Sequence, residues 1–212
     1  MHSFLAGFEF ILRGGFMMYP LLFAALVGLT VILERLYALH NRFKAPEGLL
    51  DSVLSKVREG KVEEATENCA SRSTPVEDVL AAGLVHLNSP LEEMELAMKN
   101  TAEAWLPRLE KRVDVIDTII TAAPLMGLLG TITGMMASFQ VLSEKGVNEP
   151  NAITGGVAEA LIATATGLVI ALFCLVAFNY ISARVKNFIY DLEGAGSRLV
   201  EARMAIQRLK AK

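Results

Sequence analysis

Residues 160–183 read ALIATATGLVIALFCLVAFNYISA and contain no charged side chain. Residues 14–33, GGFMMYPLLFAALVGLTVIL, and residues 118–143, TIITAAPLMGLLGTITGMMASFQVLS, are also free of charge. A helix of about 20 consecutive apolar residues is long enough to cross the ~30 Å hydrocarbon core of a bilayer. The three runs therefore predict three transmembrane helices.

A buried helix in a large soluble protein is the alternative explanation for such a run. The chain has only 212 residues, and 53% of them are hydrophobic, more than the ~45–50% that is usual for soluble domains. A soluble fold of this size has too little interior to hide three such helices. We therefore predict an all-α integral membrane protein.

Basic residues near the ends of the spans predict the orientation, because Lys and Arg are enriched on the cytoplasmic side of membrane proteins. One side carries eight of them, and the other side carries only Arg13 and Lys145. The eight are Arg35, Arg42, Lys44, Arg108, Lys111, Arg112, Arg184 and Lys186. The N-terminus is therefore expected outside and the C-terminus in the cytoplasm.

The predicted order along the chain follows from these spans and this orientation. The predicted segments are a short external N-terminus (1–13), the first span (14–37), a cytoplasmic helical region (38–115), the second span (116–143), a short external loop (144–152), the third span (153–183) and a cytoplasmic C-terminal helix (184–212). The N-terminus has no charged region followed by an apolar run and a small-residue cleavage site, so we expect no removable signal peptide.

Helix signals fill the parts outside the spans. Thr74-Pro75-Val76-Glu77 is typical of a capping box with proline at the first helical position, and residues 89–92 (SPLE) repeat the pattern. Residues 45–47 (APE) are a weaker start, and Gly60 is a plausible stop. Between residues 90 and 143 there is no strong stop, which predicts one long helix.

We expect Pro107 and Pro124 to kink that long helix rather than end it. The third span is expected to continue into the tail in the same way. Two of the three transmembrane helices would then be long and extend into a helical cytoplasmic domain.

The tail carries an a/d stripe of apolar residues with alternating spacings of three and four. The stripe consists of Val185, Phe188, Leu192, Ala195, Leu199, Ala202, Ile206 and Leu209. It predicts packing on the chain's own cytoplasmic helices, contact with another copy of the chain, or both. The pattern alone favours neither.

Small residues recur inside the second and third spans, where they let helices approach closely. We predict that they are helix-packing positions. The candidates are Gly127, Gly130 and Gly134 in the second span and Ala163, Gly167 and Ala171 in the third.

Glu159 is the only charged residue within the third span. An ionisable group in a span is costly and faces a bundle interior or water, which marks a pathway for ions or protons. The alternative is a carboxylate that reaches back to the membrane interface. Thr166, seven residues later, falls on the same helical face. For each membrane threonine, a bond to its own backbone is the plainer interpretation.

The sequence gives no sign of catalysis. There is no phosphate-binding glycine loop, nucleophile elbow or metal-ligand spacing, and Cys69 and Cys174 lie in different contexts. The net charge of -3 gives no footprint for nucleic acid. We therefore expect no enzyme activity, no cofactor, no metal and no nucleic-acid partner.

Two motifs carry a resemblance to a known family. Residues 123–136 (APLMGLLGTITGMM), followed by Phe139, and residues 156–168 (GVAEALIATATGL) resemble the paired signatures of the MotA/TolQ/ExbB proton-channel family. Their order, spacing and predicted topology match that family over the whole chain. Three spans and a large first cytoplasmic loop are most similar to ExbB, with TolQ next, whereas MotA stators normally have four spans.

The resemblance implies a homopentameric ring in the bacterial inner membrane, with the second and third spans around a pore. It implies a single-span partner of the ExbD/TolR type inside that pore, whose aspartate carries the proton, and a TonB- or TolA-like protein that receives the work. Thr131 and Thr164 match the family's pore threonines, and Glu159 matches its pore glutamate. The external side would then be the periplasm.

One position departs from the pattern. Many ExbB sequences have proline in the inner half of the third span, where this chain has Phe173. The helix is then expected to be less kinked, and the subfamily stays open between ExbB, TolQ and a gliding-type motor. A structural membrane scaffold is the rival from another class. A secondary transporter is disfavoured because three spans show no internal repeat.

Overall fold

The computed structural model describes residues 14–43, 45–46, 48–69, 74–146 and 150–210, and this part of the chain contains helices and no strand. The described residues form seven α-helices, and a π-helical turn, Ala38–Arg42, directly follows the first of them. The α-helices are α1 (Met18–Tyr37), α2 (Leu49–Arg58), α3 (Val62–Cys69), α4 (Pro75–Val85), α5 (Leu91–Leu109), α6 (Val113–Lys145) and α7 (Pro150–Lys210). The all-helical prediction is confirmed for the described residues.

Within the part of the chain that the structure describes, three stretches are long and apolar enough to cross a membrane, as predicted. They are Met18–Asn41, Val113–Glu144 and Thr154–Arg208, with mean hydropathies of 1.9, 1.7 and 2.6. The predicted N-terminal segment, 1–13, lies outside the described residues, as do residues 147–149 of the predicted loop. Pro20 lies in the first turn of α1, where a missing backbone N–H costs little.

The chain divides into two compact units. One, here called the apolar unit, comprises residues 1–34 and 112–180 and contains most of α1, all of α6 and the first part of α7. The other, here called the helical unit, comprises residues 35–111 and 181–212 and contains α2 to α5 and the last part of α7.

The core of the helical unit forms around the apolar stripe of the tail. Leu192 and Leu199 of α7 are buried in one cluster with residues of α2, α4 and α5, among them Val53, Leu80 and Met94. The stripe therefore packs on the chain's own helices, the first of the two predicted alternatives. Phe188 and Ile206 are only half-buried, and the side chain of Leu209 lies outside the described part.

One of the two predicted capping boxes is confirmed. The backbone N–H of Glu77 donates to Oγ1 of Thr74, and the backbone N–H of Thr74 donates to Oε2 of Glu77 at 2.8 Å. Pro75 occupies the first position of α4, as expected. The predicted stop at Gly60 also agrees with the structure, since α2 ends at Arg58 and Gly60 follows at φ +79°.

The second capping box is wrong. The N-cap of α5 is Pro90, which has no side chain that can accept a hydrogen bond. Ser89 lies one residue too early: its hydroxyl contacts Nδ1 of His86, and its carbonyl oxygen accepts a hydrogen bond from the buried Arg203. Likewise α2 begins at Leu49, after an N-cap at Gly48 with φ +79°, rather than at residues 45–47.

The single long helix predicted for residues 90–143 is also wrong. Helix α5 ends at Leu109, two residues after Pro107, and α6 begins at Val113. Between them Arg112 adopts a left-handed conformation with φ +62°, which no α-helix can continue through. The carbonyl oxygen of Arg108 at the end of α5 accepts a hydrogen bond from Nη1 of Arg35 at 3.2 Å, which satisfies one terminal acceptor. The structure gives an end where the sequence predicted a kink.

The two capping sites give a matched test. Substitution of Thr74→Ala removes an N-cap acceptor, so we expect the free energy of unfolding to fall by about 1 kcal/mol. Substitution of Ser89→Ala removes no cap and should change the free energy of unfolding by about 0.3 kcal/mol at most. Helical signal followed through denaturant unfolding in detergent measures both, and equal losses would contradict the assignment of the caps.

The thiol of Cys69 should be unreactive. Burial, followed by the nearby charge of Glu77, raises its pKa to about 11. At pH 8 only about one thiol in a thousand is then the reactive thiolate. In a Cys174→Ala background, we expect labelling by iodoacetamide to be slow at pH 8 and to accelerate up to about pH 11. Labelling at pH 8 as fast as that of free cysteine would contradict this.

Candidate functional site

The second and third spans meet through residues with little or no side chain. A Cβ atom added to Gly134 of α6 would lie 2.7 Å from the carbonyl oxygen of Gly156 in α7, and one added to Gly130 would lie 2.5 Å from Cβ of Ala163. Real Cβ atoms do not approach other heavy atoms this closely, so the two backbones touch at these levels. Only glycine lets these helices come so near.

The same contact continues further along both helices. A Cβ atom added to Gly127 would lie 3.0 Å from Cα of Thr164, and one added to Gly167 would clash with the carbonyl oxygen of Ala123. Ala171 is buried as well. All six predicted packing residues are therefore buried in the apolar unit, and those other than Ala171 lie on the faces where α6 and α7 meet.

The contact extends beyond the predicted stripe of α7. Ala160 is 3% exposed, and its Cβ would lie 3.0 Å from a Cβ added to Gly134. Ser138 of α6 is buried against Gly156 and donates a hydrogen bond to the carbonyl oxygen of Gly134 at 3.1 Å. The sequence contained this signal as a series of small residues spaced four, three and four apart: Gly156, Ala160, Ala163 and Gly167.

Thr164 joins the two helices by a hydrogen bond. Its Oγ1 donates to the carbonyl oxygen of Gly127 at 2.9 Å, 37 residues away in the chain. This carbonyl oxygen has two lone pairs and can accept the extra hydrogen bond, because Gly127 has no side chain to cover it. The bond places a hydroxyl group inside the helix contact rather than on the outside of α7.

Thr131 and Thr166 bond to their own helices. Oγ1 of Thr131 donates to the carbonyl oxygen of Leu128 at 2.6 Å, and Oγ1 of Thr166 donates to that of Ile162 at 2.8 Å. This is the plainer arrangement that the sequence allowed for membrane threonines. Both side chains are half-buried, and each hydroxyl oxygen keeps its capacity to accept a further hydrogen bond.

Glu159 is half-buried and lies against the start of the first span. The side-chain atoms of Glu159 occupy the space where a Cβ atom of Gly15 would be. The pair Gly14-Gly15, directly after Arg13 at the head of the first apolar run, was the available signal, and sequence reasoning missed it. The four predicted polar residues thus share one unit. Within it, Glu159 contacts Gly15, whereas Thr166 bonds to its own helix.

No group of three or more His, Cys, Asp or Glu side chains in the described ranges could hold a metal ion. The predicted polar residues supply one carboxyl group and three hydroxyl groups in apolar surroundings. Such groups can pass or hold a proton, and none of them forms a nucleophile paired with a base.

Comparison with known proteins adds an independent finding. The profile of the MotA/TolQ/ExbB proton channel family matches residues 71–194, more than half of the chain. An ExbB-like biopolymer transport protein of Synechocystis is 32% identical over 188 residues, which cover 87% of this chain and 90% of that protein. The Tol-Pal system protein TolQ of Haemophilus influenzae is 29% identical over 182 residues, 79% and 78% of the two chains. The biopolymer transport protein ExbB of Aquifex aeolicus is 38% identical over 85 residues, 40% and 57%.

The helix contact predicts the effect of a single methyl group. In Gly134→Ala the new Cβ meets backbone atoms, which cannot rotate away, so we expect the free energy of unfolding to fall by about 1–3 kcal/mol. In Gly155→Ala the new Cβ meets nothing within 4 Å, and the change should be neutral or slightly stabilising. Unfolding in mixed micelles measures both; equal stability of the two variants would show that α6 and α7 are further apart.

Proposed function

The chain belongs to the MotA/TolQ/ExbB proton channel family, and we propose that it is the ring subunit of an ExbB-like motor driven by the proton-motive force. The motor would energise TonB-dependent transport across an outer membrane. The observation that carries the proposal is the polar set built into the contact of two membrane helices: Thr164 bonded across to Gly127, with Glu159 half-buried in the same unit.

Polar groups at this place need a reason to be kept. An ionisable side chain within a membrane span costs several kcal/mol, on the order of 3 on insertion scales. Small apolar residues would pack α6 against α7 equally well. A proton pathway explains why Thr131, Glu159 and Thr164 are there, and the resemblance assigns the same three positions to the pore.

The outward faces of the spans support a ring. Large apolar side chains on α6 and α7 are exposed, for example Ile132 at 46%, Phe139 at 67% and Leu172 at 63%. In a membrane such faces are covered by lipid or by other subunits. In the proposed homopentamer, neighbouring copies cover one side of each subunit, and lipid covers the other.

A second chain completes the proposed motor. Within residues 118–143 and 153–183, Glu159 is the only charged residue, so this chain has no ladder of acids across the bilayer. We assign the proton carrier to a single-span partner of the ExbD/TolR type inside the ring. A TonB- or TolA-like protein would receive the mechanical work.

The proposed location is the bacterial inner membrane, with the N-terminus in the periplasm and the C-terminus in the cytoplasm. The proposed segments are those of the sequence analysis, with residues 38–115 and 184–212 in the cytoplasm. The excess of Lys and Arg at one set of span ends supports this orientation.

A TolQ-like role in the Tol-Pal envelope system is the second candidate. It is favoured by the similarity to TolQ over most of both chains and by Phe173, which stands where many ExbB sequences have proline. Helix α7 runs through Phe173 without interruption. The neighbouring genes distinguish the candidates, since a TonB-like gene favours the first and a TolA-like gene the second.

Assembly is the first test of the proposal. We expect the intact mass of the detergent-purified chain to be that of a homopentamer, which retains a single-span partner when the adjacent gene is co-expressed. A monomer or dimer that binds no such partner would overturn the motor and favour a structural scaffold.

Proton flux into vesicles tests the pathway. We expect the ring alone to leak weakly, the complex to conduct, and Glu159→Gln, Thr131→Ala and Thr164→Ala to lower the flux of the complex about tenfold or more while assembly is kept. Thr30→Ala is the control, since Thr30 of α1 is exposed and bonds only its own helix, to Leu26 at 2.8 Å. Strong conduction by the ring alone that Glu159→Gln abolishes would refute the assignment of the carrier to the partner.

A further inference from the structure

The turn that leads into α1, residues 14–17, packs against both α6 and α7. Gly14 and Met18 are buried, and Leu21 is completely so. A Cβ atom added to Gly14 would lie 3.0 Å from Cγ2 of Ile162 in α7, and one added to Gly130 in α6 would lie 3.4 Å from Cβ of Met17. The backbone of residues 14–18 is therefore fixed from two sides.

Gly15 lies in the middle of this fixed segment, in a left-handed conformation with φ +69°. The three atoms nearest to the position of its absent Cβ are Oε1, Cδ and Cγ of Glu159, and all three are too close for a real side chain. Glycine is thus required twice: by the backbone conformation and by the carboxyl group that fills the space.

The contact places the Glu159 carboxyl group at the beginning of a helix. The backbone N–H groups of Met18, Tyr19 and Leu21 donate to carbonyl oxygens of residues 15–17, so the carboxyl group meets a turn that is already closed by its own hydrogen bonds. The half-buried side chain of Glu159 thus faces the start of the first span of its own chain.

We propose that Gly15 is the positioning residue of Glu159: by lacking a side chain it lets the turn that leads into α1 hold the carboxyl group in place. The first span then takes part in the polar site, although its own residues 14–33 carry no charge. This inference rests on the proposed function for its consequence in proton flux, but the contact itself can be tested without it.

Disulfide formation tests the contact. In a chain with Cys69→Ala and Cys174→Ala, we expect Gly15→Cys with Glu159→Cys to form a disulfide within one chain on mild oxidation, seen as protection from a maleimide–polyethylene glycol reagent with no dimer on a non-reducing gel. Gly15→Cys with Thr166→Cys is the control, because Thr166 is two turns or about 10 Å further along α7, beyond the reach of a disulfide. Dimers, or no bond in the first pair, would overturn the proposal.

Flux through the complex tests the consequence. We expect Gly15→Ala to lower it about tenfold or more, since a small displacement of a reacting group has effects of this size. Gly60→Ala is the control for backbone strain alone, because Gly60 has φ +79° with nothing within 4 Å of its Cβ position, and it should match the unchanged chain. Adding Glu159→Asp, which shortens the side chain by one methylene, should recover part of the flux of Gly15→Ala.

The two failures can be told apart. If the unchanged complex carries no protons, the proposed function fails, and the disulfide still decides whether Gly15 holds Glu159. If the unchanged complex conducts and Gly15→Ala conducts equally well, the positioning role is refuted. A loss in Gly15→Ala that Glu159→Asp does not relieve would also refute it, since a general folding defect would behave in that way.

Discussion

Direct contact between the backbones of α6 and α7 is the constraint on which the apolar unit depends. In a bilayer the hydrophobic effect does not drive helices together, so close packing and hydrogen bonds must do so. Gly130 and Gly134 supply the close packing, and the bond from Thr164 to Gly127 supplies the polar contact. The polar groups of the site are held in position because these two helices have one register in which the glycines meet small residues.

A contact of the same kind, at a glycine, joins α1 to the unit. Gly28 of α1 lies against Cys174 and Ile119, whose atoms would be 3.2 Å from its Cβ position. The thiol of Cys174 thus packs between helices, and Cys174 is a buried free cysteine. Each pair among the three apolar helices meets at a glycine, which lets the helices approach one another closely.

Much of this arrangement could be predicted from the sequence, because its signals are local. Absence of charge over about 20 residues predicts a span, and small residues at spacings of three and four predict a contact face. The break at Arg112 could not be predicted, since a left-handed arginine has no sequence signature. In the structure its guanidinium lies 3.5 Å from the carboxylate of Glu34, a residue distant in sequence. The Gly14-Gly15 pair was a visible signal, but its contact with Glu159 joins positions far apart in the chain, which no local pattern reveals.

The core of the helical unit contains one further glycine with an evolutionary consequence. A Cβ atom added to Gly83 of α4 would lie 2.6 Å from Sδ of Met98 and 2.7 Å from Cδ2 of Leu199. These three residues come from α4, α5 and α7, so they form one shared volume rather than three independent positions. Alanine at position 83 therefore requires the ends of the Met98 and Leu199 side chains to move aside. In evolution the effect of a substitution at any one of these three positions should then depend on which residues occupy the other two.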